Sequence, residues 1–137
     1  MSEDVARRIL TEQHTWAVVG WSPNPGRDSN RVASFLESRG YRVIRVNPNA
    51  CDDHPECFPD LASIEEPVDV VDVFRRSEAA GEHVDEAIAI GAKAVWMQLG
   101  VIDPAAAKRA EDAGLDVVMD RCPAIELPRR GIAGPVA

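Results

Sequence analysis

Short apolar runs alternate with stretches in which apolar residues recur every three or four positions, and the alternation continues almost to the end of the chain. The first run, TWAVVG at residues 15–20, follows a charged segment that carries Val5, Ile9 and Leu10, which predicts a leading helix and then a strand. After a loop, SNRVASFLESRG places Val32, Phe35 and Leu36 at i, i+3 and i+4 and closes on Gly40, where a left-handed helix cap belongs. YRVIRV, residues 41–46, is the second strand and stops at Asn47-Pro48, because proline has no N–H to give to a ladder. DVVDVF (69–74), KAVWMQL (93–99) and LDVVMD (115–120) read as three more. Between them, a helix capped by Ser77 carries Val84, Ala87 and Ile88 as its stripe up to Gly91, and another, opened by Asp103-Pro104, runs to Gly114. The proline- and acid-rich link NPNACDDHPECFPDL has room for a short helical turn near residues 60–64, and the stretch from Leu127 onward shows no periodicity.

Strands separated by single helices imply right-handed crossovers, so the predicted architecture is α/β: a Rossmann-like three-layer fold with a five-stranded parallel sheet and helices on both faces. At 137 residues, one domain over 1–137 is expected, with its core at about 14–127 and an irregular tail at 128–137. No apolar stretch approaches the roughly 20 residues of a membrane-spanning helix. The opening MSEDVARRIL lacks the basic-then-apolar layout of a signal peptide, so a soluble cytoplasmic protein is expected. A net charge of −8 argues against a nucleic-acid partner and requires that any anionic ligand be held by a local site. Three cysteines, Cys51, Cys57 and Cys122, are an odd number at no framework spacing, and reduced thiols are expected.

In a sheet of this kind ligands bind beyond the carboxyl ends of the strands, which directs attention to four loops. The first, GWSPNPGRDSN, runs from Gly20 into a helix N-terminus, where free N–H groups and the helix dipole favour phosphate; Ser22, Arg27 and Ser29 add polar groups, and Pro23 and Pro25 stiffen it. It is neither G-x-G-x-x-G nor a P-loop, since Gly20 and Gly26 are six apart and lysine is missing. The second loop follows Arg45-Val46-Asn47-Pro48 and lacks the acid that usually holds an NAD ribose. Arg45 there has two readings, a contact to the extra phosphate of NADP or coenzyme A or a solvated strand residue, while Asn47 is able to bond an adenosine. The third loop, Phe74-Arg75-Arg76, brings two more cations, and the fourth, WMQLGV, brings Gln98 and Gly100. A neutral amide such as Gln98 suits an amide-rich arm like pantetheine.

VVGWSPNPGRDSNRVASFLESRGYRVIRVNP, VDVVDVFRRSE, AIAIGAKAVWMQLGV and AEDAGLDVVMDRCPAIE together resemble the small stand-alone CoA-binding domain proteins, which are similar in turn to the amino-terminal domain of the succinyl-CoA synthetase alpha subunit. The resemblance spans about residues 14–127. It implies a Rossmann-like fold that binds coenzyme A or an acyl-CoA through Gly20, Ser22, Pro23, Arg27 and Ser29, then Asn47 and Pro48, then Phe74 and Arg75, then Gln98 and Gly100. The acidic insert CDDHPEC departs from the simpler loop that the family leads one to expect.

The resembled synthetase uses a histidine from a separate domain, and this chain is too short to include one. Its own His14, His54 and His83 fall away from the strand ends, so a non-catalytic binder is expected. The competing reading is an NADP-linked or other nucleotide-dependent enzyme. Two smaller features stay open: Cys51, His54 and Cys57 are three soft ligands within seven residues, and Cys122 lies either near a bound thiol or buried as a small residue.

Overall fold

A computed structural model of the chain describes residues 3–49, 51, 54–55 and 57–136. The elements in order are α1 (Glu3–Glu12), β1 (Thr15–Val19), α2 (Asp28–Ser38), β2 (Arg42–Val46), β3 (Cys57–Phe58), a 3-10 turn (Leu61–Ser63), β4 (Val70–Val73), α3 (Ser77–Ala89), β5 (Ala94–Met97), α4 (Pro104–Asp112), β6 (Asp116–Val118) and α5 (Pro123–Arg129). Every strand pairs parallel to its neighbours, in the order β3-β2-β1-β4-β5-β6. Strand order therefore reverses between β1 and β4, and the chain leaves these two strands toward opposite halves of the sheet.

Alternation along the strands sorts the core into two layers. Ala17, Val19, Ile44, Val46, Val71, Val73, Val95 and Met97 face the side that packs with α3 and α4. Trp16, Val18, Val43, Val70, Ala94 and Trp96 face the other, against residues of α1, α2 and α5. Trp16 and Trp96 are fully buried there with ring centroids 5.5 Å apart, and the Trp96 indole N–H donates to the Arg121 carbonyl at 2.9 Å. Aromatic bodies of this size supply much of that layer's apolar burial.

Helix punctuation follows local chemistry. Asp103 caps α4 by accepting from Ala106 N at 3.0 Å, with Pro104 at the first helical position. Asp60 caps the 3-10 turn in the same way, accepting from Ser63 N at 2.8 Å. Ser77 departs from expectation: Arg76 occupies the cap position of α3, and the Ser77 hydroxyl accepts from Ile102 N at 2.9 Å, tying α3 to the loop after β5.

Three other expectations change. The sheet has six strands, because Cys57 and Phe58 add a two-residue edge beside Arg45 and Val46. So short a strand has no periodicity to read. Residues 123–129 form α5, with Leu127 fully buried, and Ile132 and the Val136 N–H, which donates to Thr11 O at 2.8 Å, carry the following chain back across the protein. Cys51 and Cys57 are joined as a disulfide rather than reduced, their Cα atoms standing 5.2 Å apart, within bridging range. Cys122 is a free, half-buried thiol. Among the described residues no helix is long and apolar enough to cross a membrane.

Candidate functional site

At the carboxyl end of the sheet, a crevice of about 1040 Å³ lies across the point where strand order reverses. It brings together Gly20, Ser22, Arg27, Ser29, Asn47, Phe74, Arg75, Gln98 and Gly100. Pro23 does not line it, and Pro48 instead lines a smaller neighbouring hollow of about 260 Å³ with His83, Glu86 and Asp60. Arg75 borders both.

The first loop is knitted by its own polar groups. Ser29 Oγ accepts from Ser22 N at 3.0 Å, Ser22 Oγ from Asn24 N at 3.1 Å, and Asn24 Oδ1 from Gly26 N at 2.8 Å, while Asn30 Nδ2 donates to Ser22 O at 2.9 Å. Ser29, which is buried, thus serves first as the loop's internal fastener, and its hydroxyl proton is what it still has to offer. The loop opens into α2 at Arg27, which makes no side-chain cap, so the first donors of the helix face the crevice without a competing side-chain acceptor at that cap. Among the described residues the Arg27 guanidinium has no ion pair, whereas Arg31 pairs with Asp28 and donates to Gly26 O at 2.7 Å.

Gly20 sets how close the loops come. Its φ is +88°, and a Cβ there would sit 2.3 Å from the Phe74 carbonyl oxygen, so only glycine lets β1 leave the sheet against the end of β4.

The second loop corrects two expectations. Arg45 is 5% exposed, does not line the crevice and donates twice to Glu37 of α2, at 2.9 and 2.7 Å. Its odd register in β2 turns it onto the α2 face, so neither a phosphate contact nor a solvated residue describes it; it is a buried guanidinium paired with the partly exposed Glu37. Those hydrogen bonds hold the Glu37 carboxyl below its usual range against the opposing pull of burial. Asn47 lines the crevice but is partly committed, donating to Trp21 O at 2.8 Å and accepting from Asn49 N at 2.8 Å, which couples the first two loops. With Cys51 and Cys57 in a disulfide their thiolates are not available as metal ligands, and the His54 ring stands edge-on to Trp21 at 5.2 Å.

Beyond β4, Arg75 has no ion pair among the described residues and Arg76 pairs only with exposed Glu78. Beyond β5, Gln98 is 5% exposed, and with its amide turned so that both ends are satisfied Nε2 donates to Asp72 Oδ1 at 2.8 Å and Oδ2 at 3.2 Å. Asp72 is fully buried in the middle of β4, and burial pushes its carboxyl well above the ordinary carboxylate range. Gly100 N donates to Asp120 Oδ1 at 2.7 Å.

Of the two readings of Cys122, the structure places it in the crevice wall at the N-cap of α5; sequence reasoning missed Ala124 and Ile125 beside it, and Arg31 on α2. A signal for α5 was present: Cys122-Pro123 places proline at the first helical position, as Asp103-Pro104 does for α4. His14 and His54 line neither cavity, and His83 lines only the smaller hollow, 2.7 Å from Glu86.

The parallel sheet and the reversed strand order, with a cationic cleft at the carboxyl ends of the strands, define a Rossmann-like domain. Residues 14–128 match the family model described as CoA binding domain, and the chain belongs to that family. It is 33% identical over 117 residues to the uncharacterized protein YneT of Bacillus subtilis, covering 85% of this chain and 87% of that one. A hypothetical protein from Pyrococcus horikoshii of known structure is 38% identical with a TM-score of 0.88, covering 94% of this chain and 92% of that one. An acetyl-coenzyme A synthetase from Ca. Korarchaeum cryptofilum shares the fold at 21% identity and a TM-score of 0.69, over 83% of this chain and 27% of that one.

Proposed function

We propose that this protein binds coenzyme A or an acyl-CoA in the crevice without transforming it. The observation that carries the reading is the crevice itself, in which two unpaired guanidinium groups, Arg27 and Arg75, share one concave surface with the N-terminus of α2 and the neutral amide of Gln98. The pyrophosphate lies over the first loop, where Arg27 and the helix donors meet it. Arg75, bordering the hollow beside Pro48, takes the 3′-phosphate, the role for which Arg45 is disqualified by its pairing with Glu37. The pantetheine arm crosses Phe74 and Gln98 toward α5. Among the described residues the crevice lining includes one acid, Asp28, and no histidine, which supports a binder rather than a catalyst.

Calorimetric titration at fixed ionic strength with CoA, dephospho-CoA, NADP and NAD tests this. CoA binds most tightly, and loss of the 3′-phosphate costs about tenfold, the worth of one charge-assisted contact at roughly 1.5 kcal/mol. NAD binding as tightly as CoA, or indifference to the 3′-phosphate, overturns the reading.

A further inference from the structure

The strand that carries the DVF segment buries a carboxyl group where its neighbours on the same strand are all valine. Val70, Val71 and Val73 are each fully inaccessible, and Asp72 between them is equally so, in register with Val18 of β1 on one side and Trp96 of β5 on the other. An acid there costs stability that a fourth valine would not, because an ionisable group is taken out of water among apolar side chains. Its hydrogen-bonding capacity is directed at one side chain that reaches the ligand crevice: Gln98, whose Nε2 lies 2.8 and 3.2 Å from the two carboxyl oxygens.

That contact fixes an amide that is otherwise free to present either end. Turned the other way, Gln98 would put its oxygen against acceptors and its nitrogen against donors, so one orientation alone satisfies both ends of the amide. In it the nitrogen is spent on Asp72, and Oε1, an acceptor with two lone pairs, keeps capacity beyond the donor that it already faces. We propose that Asp72 is a positioning residue that locks Gln98 with its carbonyl oxygen toward the crevice, so that this point of the site accepts a hydrogen bond and selects a ligand arm carrying an amide N–H. The inference rests on the coenzyme A reading, whose pantetheine arm carries such amides, and adds to it the polarity of one contact and the buried residue that enforces it.

The test compares CoA with adenosine 3′,5′-bisphosphate, which has the nucleotide end and no amide arm, by calorimetry on the wild type and three variants. Asp72→Val frees the Gln98 amide and lowers CoA affinity about tenfold, the worth of one net hydrogen bond, while leaving the bisphosphate unchanged. Asp72→Asn keeps an acceptor oxygen for Gln98 and restores most of the loss. Gln98→Leu removes the acceptor while the acid stays in place and reproduces the Asp72→Val loss, so it reads the same contact even if Asp72→Val fails to fold. Equal losses for both ligands in Asp72→Val would show a merely structural role and overturn the proposal, as would unchanged CoA affinity in Gln98→Leu. Failure of the wild type to bind CoA at all is a different result, and it overturns the functional reading together with this inference.

Discussion

Arg27 stands at the start of α2, exposed and without an ion pair among the described residues, so its removal disturbs no packing. Arg27→Ala is expected to weaken CoA binding by about 1.5 to 3 kcal/mol, the range of a charge-assisted contact, while the melting temperature of the free protein stays put. Equal affinity in variant and wild type, again by calorimetry, would remove the first loop from the site. Asp72 predicts the opposite pattern, a change in stability that depends on pH. Its carboxyl ionises near 3.9 in an unfolded chain, by the usual reference of about that value, and well above it in the fold. Between those two values the unfolded state releases a proton that the folded state keeps, so the contribution is fully present below the unfolded pKa and is lost as pH rises toward the folded one. Asp72→Asn is therefore expected to be more stable than wild type at about pH 7, with the gap closing toward about pH 4. Urea unfolding at both values checks it, and a gap that ignored pH would mean that the buried carboxyl does not titrate as its surroundings dictate. Neither residue's contacts were legible from sequence alone in the same degree. Arg27 was found because it sits in a loop with a phosphate-binding layout, whereas Asp72 looked like one more member of an apolar strand and declared itself only through its burial.

At the scale of elements, the regular ones were legible because each carries a full period of apolar residues and a chemical stop: Gly40 with φ +97° ends α2, and Asp103-Pro104 opens α4. Those that escaped are short or depend on distant partners. β3 has two residues, and its place in the sheet comes from Asn47 N donating to Phe58 O at 3.0 Å, a pairing across the acidic link. Arg45 reads as an edge cation until α2 brings Glu37 over it. α5 is short; Leu127 packs it into the core, and an ion pair braces it from within: Glu126 and Arg130, whose side chains are 6% and 3% exposed, meet at 3.0 Å, with Arg129 as a second donor. Against burial, which by itself would raise it, these two arginines hold the Glu126 carboxyl below its usual range. Glu126→Ala leaves Arg130 buried without this partner and is expected to destabilise the protein by about 3 kcal/mol. Because α5 supplies Cys122, Ala124 and Ile125 to the crevice, CoA affinity should fall with it. Denaturant melts with and without CoA measure both effects, and a loss under about 1 kcal/mol would mean that the pair is no stronger than an exposed one.

For the molecule as a whole, the contrast between its charge and that of its crevice limits what it can do. A chain of net charge −8 lines one cleft with Arg27, Arg31, Arg75 and Arg76 against, among the described residues, a single acid, Asp28, which Arg31 already pairs. Positive potential is thus focused where a polyphosphate would lie. The position of this cleft was readable in advance, because topology alone sends ligands to the carboxyl ends of the strands. The third dimension of its far wall was not, because α5 lies beyond the last strand that periodicity could identify. On the proposed reading the cleft binds CoA without group transfer. Ser22 and Ser29 are hydroxyls whose oxygens accept from Asn24 N and Ser22 N, and the one carboxylate of the described lining, Asp28, is paired with Arg31. Gln98 is neutral, and His83 is turned to Glu86 in the separate hollow. The purified protein given CoA with acetate or succinate and ATP or GTP is therefore expected to form no acyl-CoA and to return the nucleotide unhydrolysed, while the same preparation binds CoA by calorimetry. Chromatographic detection of acyl-CoA at a rate that follows the protein through purification and disappears in Arg27→Ala would move this chain from binder to ligase and locate the chemistry in the crevice described above.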